Sequence, residues 1–160
     1  MKRRGVFLPA VLVAAALLLA FRSRGDNETI TLKIQEAQLL MSDEKYDDAL
    51  KVLKGVVKEY PRHPKTEIAL ATINHCYQII GYMNEAFTYF CVVESLNTGQ
   101  PLAYVAAYMA VPLLISRERY DDALAKCQTI IDQLPPDSYW AIGALFNMAN
   151  SYLGVQDGPK

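Results

Sequence analysis

Apolar residues recur at intervals of three and four along the chain beyond residue 29, which is the spacing of one face of an α-helix. In residues 45–61, for example, Ala49, Leu53 and Val56 fall on one side of such a helix. The same pattern predicts seven helices, at about 30–42, 45–61, 66–80, 82–98, 102–116, 119–135 and 138–153.

Part of this pattern is an internal repeat. Three of the segments align without gaps at a spacing of 37 residues: 45–61, 82–98 and 119–135. Ala49, Ala86 and Ala123 coincide in the alignment, and a small residue at this position lets a neighbouring helix approach closely. Pro61 and Pro135 follow the outer two copies, where proline stops a helix. Each copy is preceded by another helix, so the repeating unit is a helix pair.

The outer copies open with Tyr-Asp-Asp-Ala-Leu, and proline stands twelve residues after the Ala. This arrangement resembles the tetratricopeptide repeat over about residues 29–154. The resemblance implies an all-α fold, a right-handed superhelix of three helix–turn–helix pairs plus one helix, with a concave inner surface. The spacing of 37 exceeds the usual 34 and is similar to long-period extracytoplasmic members. Pro112 lies inside a predicted helix, where it should cause a kink.

The N-terminus carries a different signal. Lys2, Arg3 and Arg4 precede an apolar run at residues 5–21, the order of a secretory signal or a signal anchor. The run has the minimum length for a membrane span and no polar face. We therefore expect residues 1–24 to be a signal or membrane-anchor segment, and residues 25–160 to be the repeat domain. The flanking charge favours a domain outside the cytoplasm, in the periplasm if the chain is bacterial. Anchoring and cleavage followed by export both remain open.

The charge and the reactive residues argue against several functions. Residues 25–160 carry 11 basic and 17 acidic residues, and this excess of acid disfavours nucleic acid as a partner. No His or Cys pair has the spacing of metal ligands, and no nucleophile motif or phosphate-binding glycine loop occurs. The sequence therefore predicts no enzyme activity, no metal and no cofactor. Cys91 and Cys127 lie on adjacent predicted helices, so a disulfide between them is one alternative to buried thiols.

These observations predict a non-catalytic scaffold that binds a peptide segment or partner subunit in its concave groove. Helical spacing assigns ten residues to that groove: Ile34, Gln38, Met41, Ala71, His75, Gln78, Tyr108, Ile115, Phe146 and Asn150. Binding at the convex side is an alternative, as is a self-associating structural subunit of an envelope complex. An accessory regulatory domain of an enzyme is a further alternative.

Overall fold

The structure is a computed structural model that describes the backbone of residues 7–157 and the side chains of residues 24–155. Within residues 7–157 the chain is all-helical, with no β-strand. Its seven helices are α1 (Phe7–Ser42), α2 (Tyr46–Glu59), α3 (Thr66–Ile80), α4 (Met83–Leu96), α5 (Pro101–Ile115), α6 (Tyr120–Gln133) and α7 (Tyr139–Asp157). The predicted all-α class and the order of the helices are confirmed.

The repeat is visible in the backbone itself. Helices α2, α4 and α6 begin at Tyr46, Met83 and Tyr120, which are 37 residues apart. The residues just before these three helices share almost the same dihedral angles, with φ between −85° and −88° and ψ at 59° or 60°. The sequence period of 37 is therefore also a period of the backbone conformation.

Consecutive helices pack against each other from α1 to α7, and the odd-numbered helices also contact one another in the pairs α1–α3, α3–α5 and α5–α7. Among the described residues α2, α4 and α6 do not contact each other. The helices thus form two layers: an odd layer (α1, α3, α5 and α7) and an even layer (α2, α4 and α6).

The repeated alanines lie where the two layers meet. Ala49 and Ala123 are fully buried and Ala86 is 1% exposed, as the repeat alignment predicts. The core has two apolar clusters. The larger one extends from α1 to α5 around Leu53, Ile73 and Phe90. The smaller one joins α5, α6 and α7.

Helix α5 runs on through Pro112, which lies in its last turn. Because proline has no backbone N–H, the carbonyl of Tyr108 receives no helical hydrogen bond from this position. Pro112 therefore removes a hydrogen bond in the last turn of α5, and the helix still reaches Ile115.

The first helix of the repeat domain is longer than predicted. Helix α1 begins at Phe7 and continues without interruption past residue 24, the predicted end of the N-terminal segment. The side chains of residues 5–21, on which the membrane prediction rests, lie outside the described residues. Within the described part of the chain no helix has both the length and the apolar character needed to cross a membrane.

Candidate partner-binding groove

The odd layer contains a cavity of about 520 Å³ between α3, α5 and the N-terminal end of α7. Its lining combines apolar side chains, three aromatic rings and two amides, and it includes no formally charged residue. The lining residues are Ala71, Asn74, Gln78, Tyr108, Met109, Pro112, Leu113, Tyr139 and Trp140. A cavity of this size and composition fits an apolar side chain, with amides available to hydrogen-bond a peptide backbone.

Three rings, Tyr108, Tyr139 and Trp140, form an aromatic wall on one side of the cavity. The Trp140 ring lies 4.9 Å from Tyr139 and 5.2 Å from Tyr108, centre to centre, and both pairs meet edge to face. This geometry is the favourable one for aromatic pairs, because the positive edge of one ring meets the negative face of the other. The wall is therefore a packed unit rather than three independent side chains.

Gly143 is the residue that lets α7 approach Tyr108 of α5. A Cβ atom at position 143 would lie 2.6 Å from the Tyr108 hydroxyl oxygen and 2.7 Å from a ring carbon. Both distances are below ordinary van der Waals contact. Glycine is needed here because the Tyr108 ring occupies the space that a side chain would fill.

Two hydrogen bonds hold the start of α7 in place. The Ser138 hydroxyl accepts a hydrogen bond from the backbone N–H of Ala141 at 3.1 Å, and so caps the first turn of the helix. The Trp140 indole N–H donates to the Glu67 carboxylate at 2.9 Å. Since Glu67 belongs to the first turn of α3, this bond connects the two helices that flank α5. The aromatic wall is thus fixed from both sides.

The Tyr108 hydroxyl lies against α7, beside Gly143. Burial raises the pKa of Tyr108, and the neighbouring Tyr139 raises it further, while a hydrogen bond with Asn147 acts in the opposite direction. The phenol is therefore protonated throughout the neutral range.

The structure brings together only part of the predicted groove. Ala71, Gln78 and Tyr108 line the cavity. Ile34 is 7% exposed and belongs to the larger core cluster, so its side chain is not available to a partner. The rest lie outside the lining: Gln38, His75 and Phe146 are exposed, and Met41, Ile115 and Asn150 are half-buried.

Sequence reasoning missed Asn74, Met109, Leu113, Tyr139 and Trp140 as lining residues. Tyr139 and Trp140 open the last predicted helix, but helical spacing places the inner face of that helix further along, at Phe146 and Asn150. They reach the cavity because the start of α7 is bonded to α3, a contact between residues 73 positions apart. The local sequence around Tyr139 and Trp140 carries no signal for this contact.

A second and larger cavity, of about 770 Å³, lies between α4, α5 and α6 on the even layer. It is lined mostly by small and polar residues, among them Ala125, Thr129 and Cys91. The carboxylate of Glu94 and the ammonium of Lys126 pair across it, which leaves neither charge free for a ligand. Binding at the convex side was an alternative prediction, and this cavity is the site that a partner would use in that case.

The cysteines offer no reactive site. Cys76, Cys91 and Cys127 are free thiols, so the Cys91–Cys127 disulfide is not formed in this structure. Burial raises the pKa of all three, to about 11 for Cys127, and a thiol with a raised pKa is a poor nucleophile at neutral pH. No group of metal-ligating side chains occurs among the described residues.

Comparison with protein-family models, with curated proteins and with solved structures finds no match to this chain.

Proposed function

We propose that this protein is a non-catalytic scaffold of the tetratricopeptide type, which holds a peptide segment or a partner subunit against its odd layer. The observation that carries the proposal is the 520 Å³ cavity, because three successive first helices contribute side chains to it. A site built jointly by neighbouring repeats is what a concave repeat surface provides.

The packing of the layers supports binding on this side. The odd helices contact one another, whereas the described even helices do not. Helices in the layer closer to the centre of curvature lie closer together, so this difference favours a concave odd layer and a convex even layer. That is the arrangement expected of a tetratricopeptide superhelix.

The composition of the cavity indicates what kind of segment it accepts. An apolar or aromatic side chain would pack against the aromatic wall, and Asn74 and Gln78 would hydrogen-bond its backbone. The lining holds no charge to pair with a phosphate or an acidic chain end. We therefore expect an extended or helical segment with a large apolar anchor residue.

Site-specific photo-crosslinking in cells tests this proposal. A benzophenone side chain placed at Gln78, which is exposed in the cavity, should form an adduct with the partner on illumination. Placed at Thr129, in the cavity of the even layer, the same group should form none. The additional change Ala71→Phe should fill the cavity of the odd layer and abolish the Gln78 adduct. Ala125→Phe, in the cavity of the even layer, should leave that adduct intact. Adducts at Thr129 but not at Gln78 would refute groove binding in favour of the convex side.

We also propose that the repeat domain acts outside the cytoplasm, either anchored by residues 5–21 or exported after cleavage. The support is the basic start and the apolar run of the sequence. A reporter fused after Lys160 should be active only outside the cytoplasm, and activity confined to the cytoplasm would disprove export. The N-terminal residue of the purified chain distinguishes the two forms, since cleavage would leave a start near Phe21.

A further inference from the structure

Helix α7 exposes a broad apolar face. Of the fourteen exposed large apolar residues in the described chain, seven lie on α7: Tyr139, Ile142, Leu145, Phe146, Tyr152, Leu153 and Val155. Such side chains together offer on the order of 800 Å² of surface, about what one partner contributes to a standard interface. A patch of this size exceeds what soluble monomers usually expose, so it marks an interaction surface.

The opposite face of α7 is tightly held. Its small residues Ala141, Ala144 and Ser151 are buried, and Gly154 lies so close to Tyr120 that a Cβ atom would be 2.3 Å from the ring. Helix α7 is thereby fixed on α5 and α6, with its apolar face directed away from them.

This face also lacks charge. From Tyr139 to Gln156 the helix contains no charged residue, and Asp157 is its first. A charged partner would find nothing here to pair with, and a second copy of the same face would meet no like-charge repulsion. The net charge of −6 on residues 25–160 lies elsewhere on the surface.

Along the helix, exposed residues follow a spacing of three and four at Tyr139, Ile142, Phe146, Ala149 and Leu153. This spacing forms a stripe that suits a second, nearly antiparallel helix. If a two-fold axis passes through Phe146, Tyr139 faces Leu153 of the other copy, and Ile142 lies beside the small Ala149. The stripe is therefore self-complementary in the sense that a two-fold interface requires.

We propose that the chain forms a homodimer in which α7 packs antiparallel against α7 of a second copy. The proposed interface shares Tyr139 with the cavity lining, but Phe146 at its centre does not line the cavity. A change at Phe146 can therefore disrupt dimerisation without altering the groove.

Cysteine crosslinking of the full-length chain in cells tests whether a second copy of the chain packs on α7 and whether its α7 runs antiparallel. Cys91 is first replaced by Ser, while Cys76 and Cys127 are fully buried and remain. One copy then carries Tyr139→Cys with one epitope tag, and a co-expressed copy carries Leu153→Cys with another. A short bismaleimide should give an adduct of twice the chain mass that contains both tags, and Tyr139→Cys alone should give no adduct.

Every other pattern overturns the proposal. An adduct from Tyr139→Cys alone indicates a parallel pair, an adduct with one tag and a different mass indicates another protein on this face, and no adduct indicates a monomer. In a second measurement, Phe146→Glu should weaken dimerisation by at least about 100-fold, because two carboxylates would be buried at the axis. Leu96→Glu, at a position that is 77% exposed on α4, is the matched control and should leave the dimer intact. Both variants should keep the helical circular dichroism of the parent chain.

Discussion

Helices α5 and α7 hold the same place in successive repeats, but their surroundings differ. Leu102, Val105 and Met109 of α5 are at most 7% exposed. The residues 37 positions later, Tyr139, Ile142 and Phe146 of α7, are 72%, 56% and 68% exposed. All six are large and apolar, so residue type does not explain the difference. The α5 side chains belong to the larger core cluster, whereas α7 is the last described helix and has neighbours on fewer sides.

The comparison shows that burial in a repeat array depends on position in the stack. A repeat cannot cover its own apolar face, so each pair relies on its neighbours. A helix with neighbours on fewer sides therefore exposes side chains that a helix with more neighbours buries.

The largest effect is expected from truncating equivalent residues in the two helices. Met109→Ala should lower the free energy of unfolding by about 2–4 kcal/mol, because it leaves a cavity in the core. Phe146→Ala should cost less than about 1 kcal/mol in dilute solution, where the side chain contacts mainly water. Urea denaturation of both variants measures the difference. Equal costs would mean that α7 is covered and that the comparison with α5 is wrong.

A somewhat smaller effect is expected at Gly143, where α7 meets α5. Gly143→Ala should destabilise the fold by about 1–3 kcal/mol, since its Cβ atom would overlap the Tyr108 ring. In the double variant with Tyr108→Ala the extra cost of Gly143→Ala should vanish, which thermal unfolding can detect as non-additivity.

Gly55→Ala in α2 is the matched control for the Gly143 experiment. Nothing lies within 4 Å of a Cβ atom at this position, so the same change should stabilise the helix by about 0.5–1 kcal/mol. If both alanine variants behave alike, the close contact between α7 and Tyr108 is not formed in solution.

Effects of about 1 kcal/mol are expected in the turns between paired helices. Glu44, Gly81 and Glu118 occupy the same repeat position and have φ values of 61°, 79° and 57°. Only glycine adopts such angles without steric cost, so Glu118→Gly should stabilise the fold by about 1 kcal/mol or less, and Gly81→Ala should destabilise it by about 1 kcal/mol.

A control separates this backbone effect from a general effect of glycine. Glu85→Gly lies within the first turn of α4 and should destabilise, because glycine is a poor helix former. The melting temperatures of Glu118→Gly, Gly81→Ala and Glu85→Gly show directly whether each change stabilises or destabilises the fold. A loss of stability in Glu118→Gly would contradict the left-handed conformation of that turn.

The Cys127 thiol, in the smaller core cluster, should make no contribution to the pH dependence of stability near neutral pH and a modest one in alkali. Its pKa is about 11 in the fold and 9.0 for an ordinary thiol, owing to burial. Below pH 9 the thiol is neutral in both the folded and the unfolded chain and contributes no pH dependence. As the pH rises from 9 towards 11 only the unfolded thiol ionises, so stability should fall.

Comparison of the parent chain with Cys127→Ala isolates this contribution, because tyrosines and lysines titrate in the same range in both. The difference in urea midpoint between the two chains should shrink as the pH rises above 9. A constant difference would show that the thiol is accessible to water and that the cluster around it is open.

Sequence reasoning was most successful for the helices and the repeat. The spacing of Ala49, Ala86 and Ala123 predicted three buried contacts, and all three are buried. Helix boundaries agree with the pattern to within about two residues from α2 to α6. The exceptions are α7, which ends at Asp157 rather than near residue 153, and α1, which extends back to Phe7 because no proline interrupts the helix between the apolar run and residue 30.

The groove was predicted less well. Helical spacing located Ala71, Gln78 and Tyr108, which line the cavity, but it also selected Ile34, which is in the core. Spacing identifies the face of a helix, and it cannot tell whether another helix covers that face. Tyr139 and Trp140 of the aromatic wall were missed for the same reason.

The sequence by itself determined the helical class, the period of 37 and the small residues at the helix crossings, since each depends on residues near one another in the chain. Only the tertiary structure decided which apolar faces are covered. The bond from Trp140 to Glu67, the contact of Gly143 with Tyr108 and the exposure of Phe146 all depend on how α7 packs against the odd layer. Such contacts join residues tens of positions apart, and local periodicity carries no information about them.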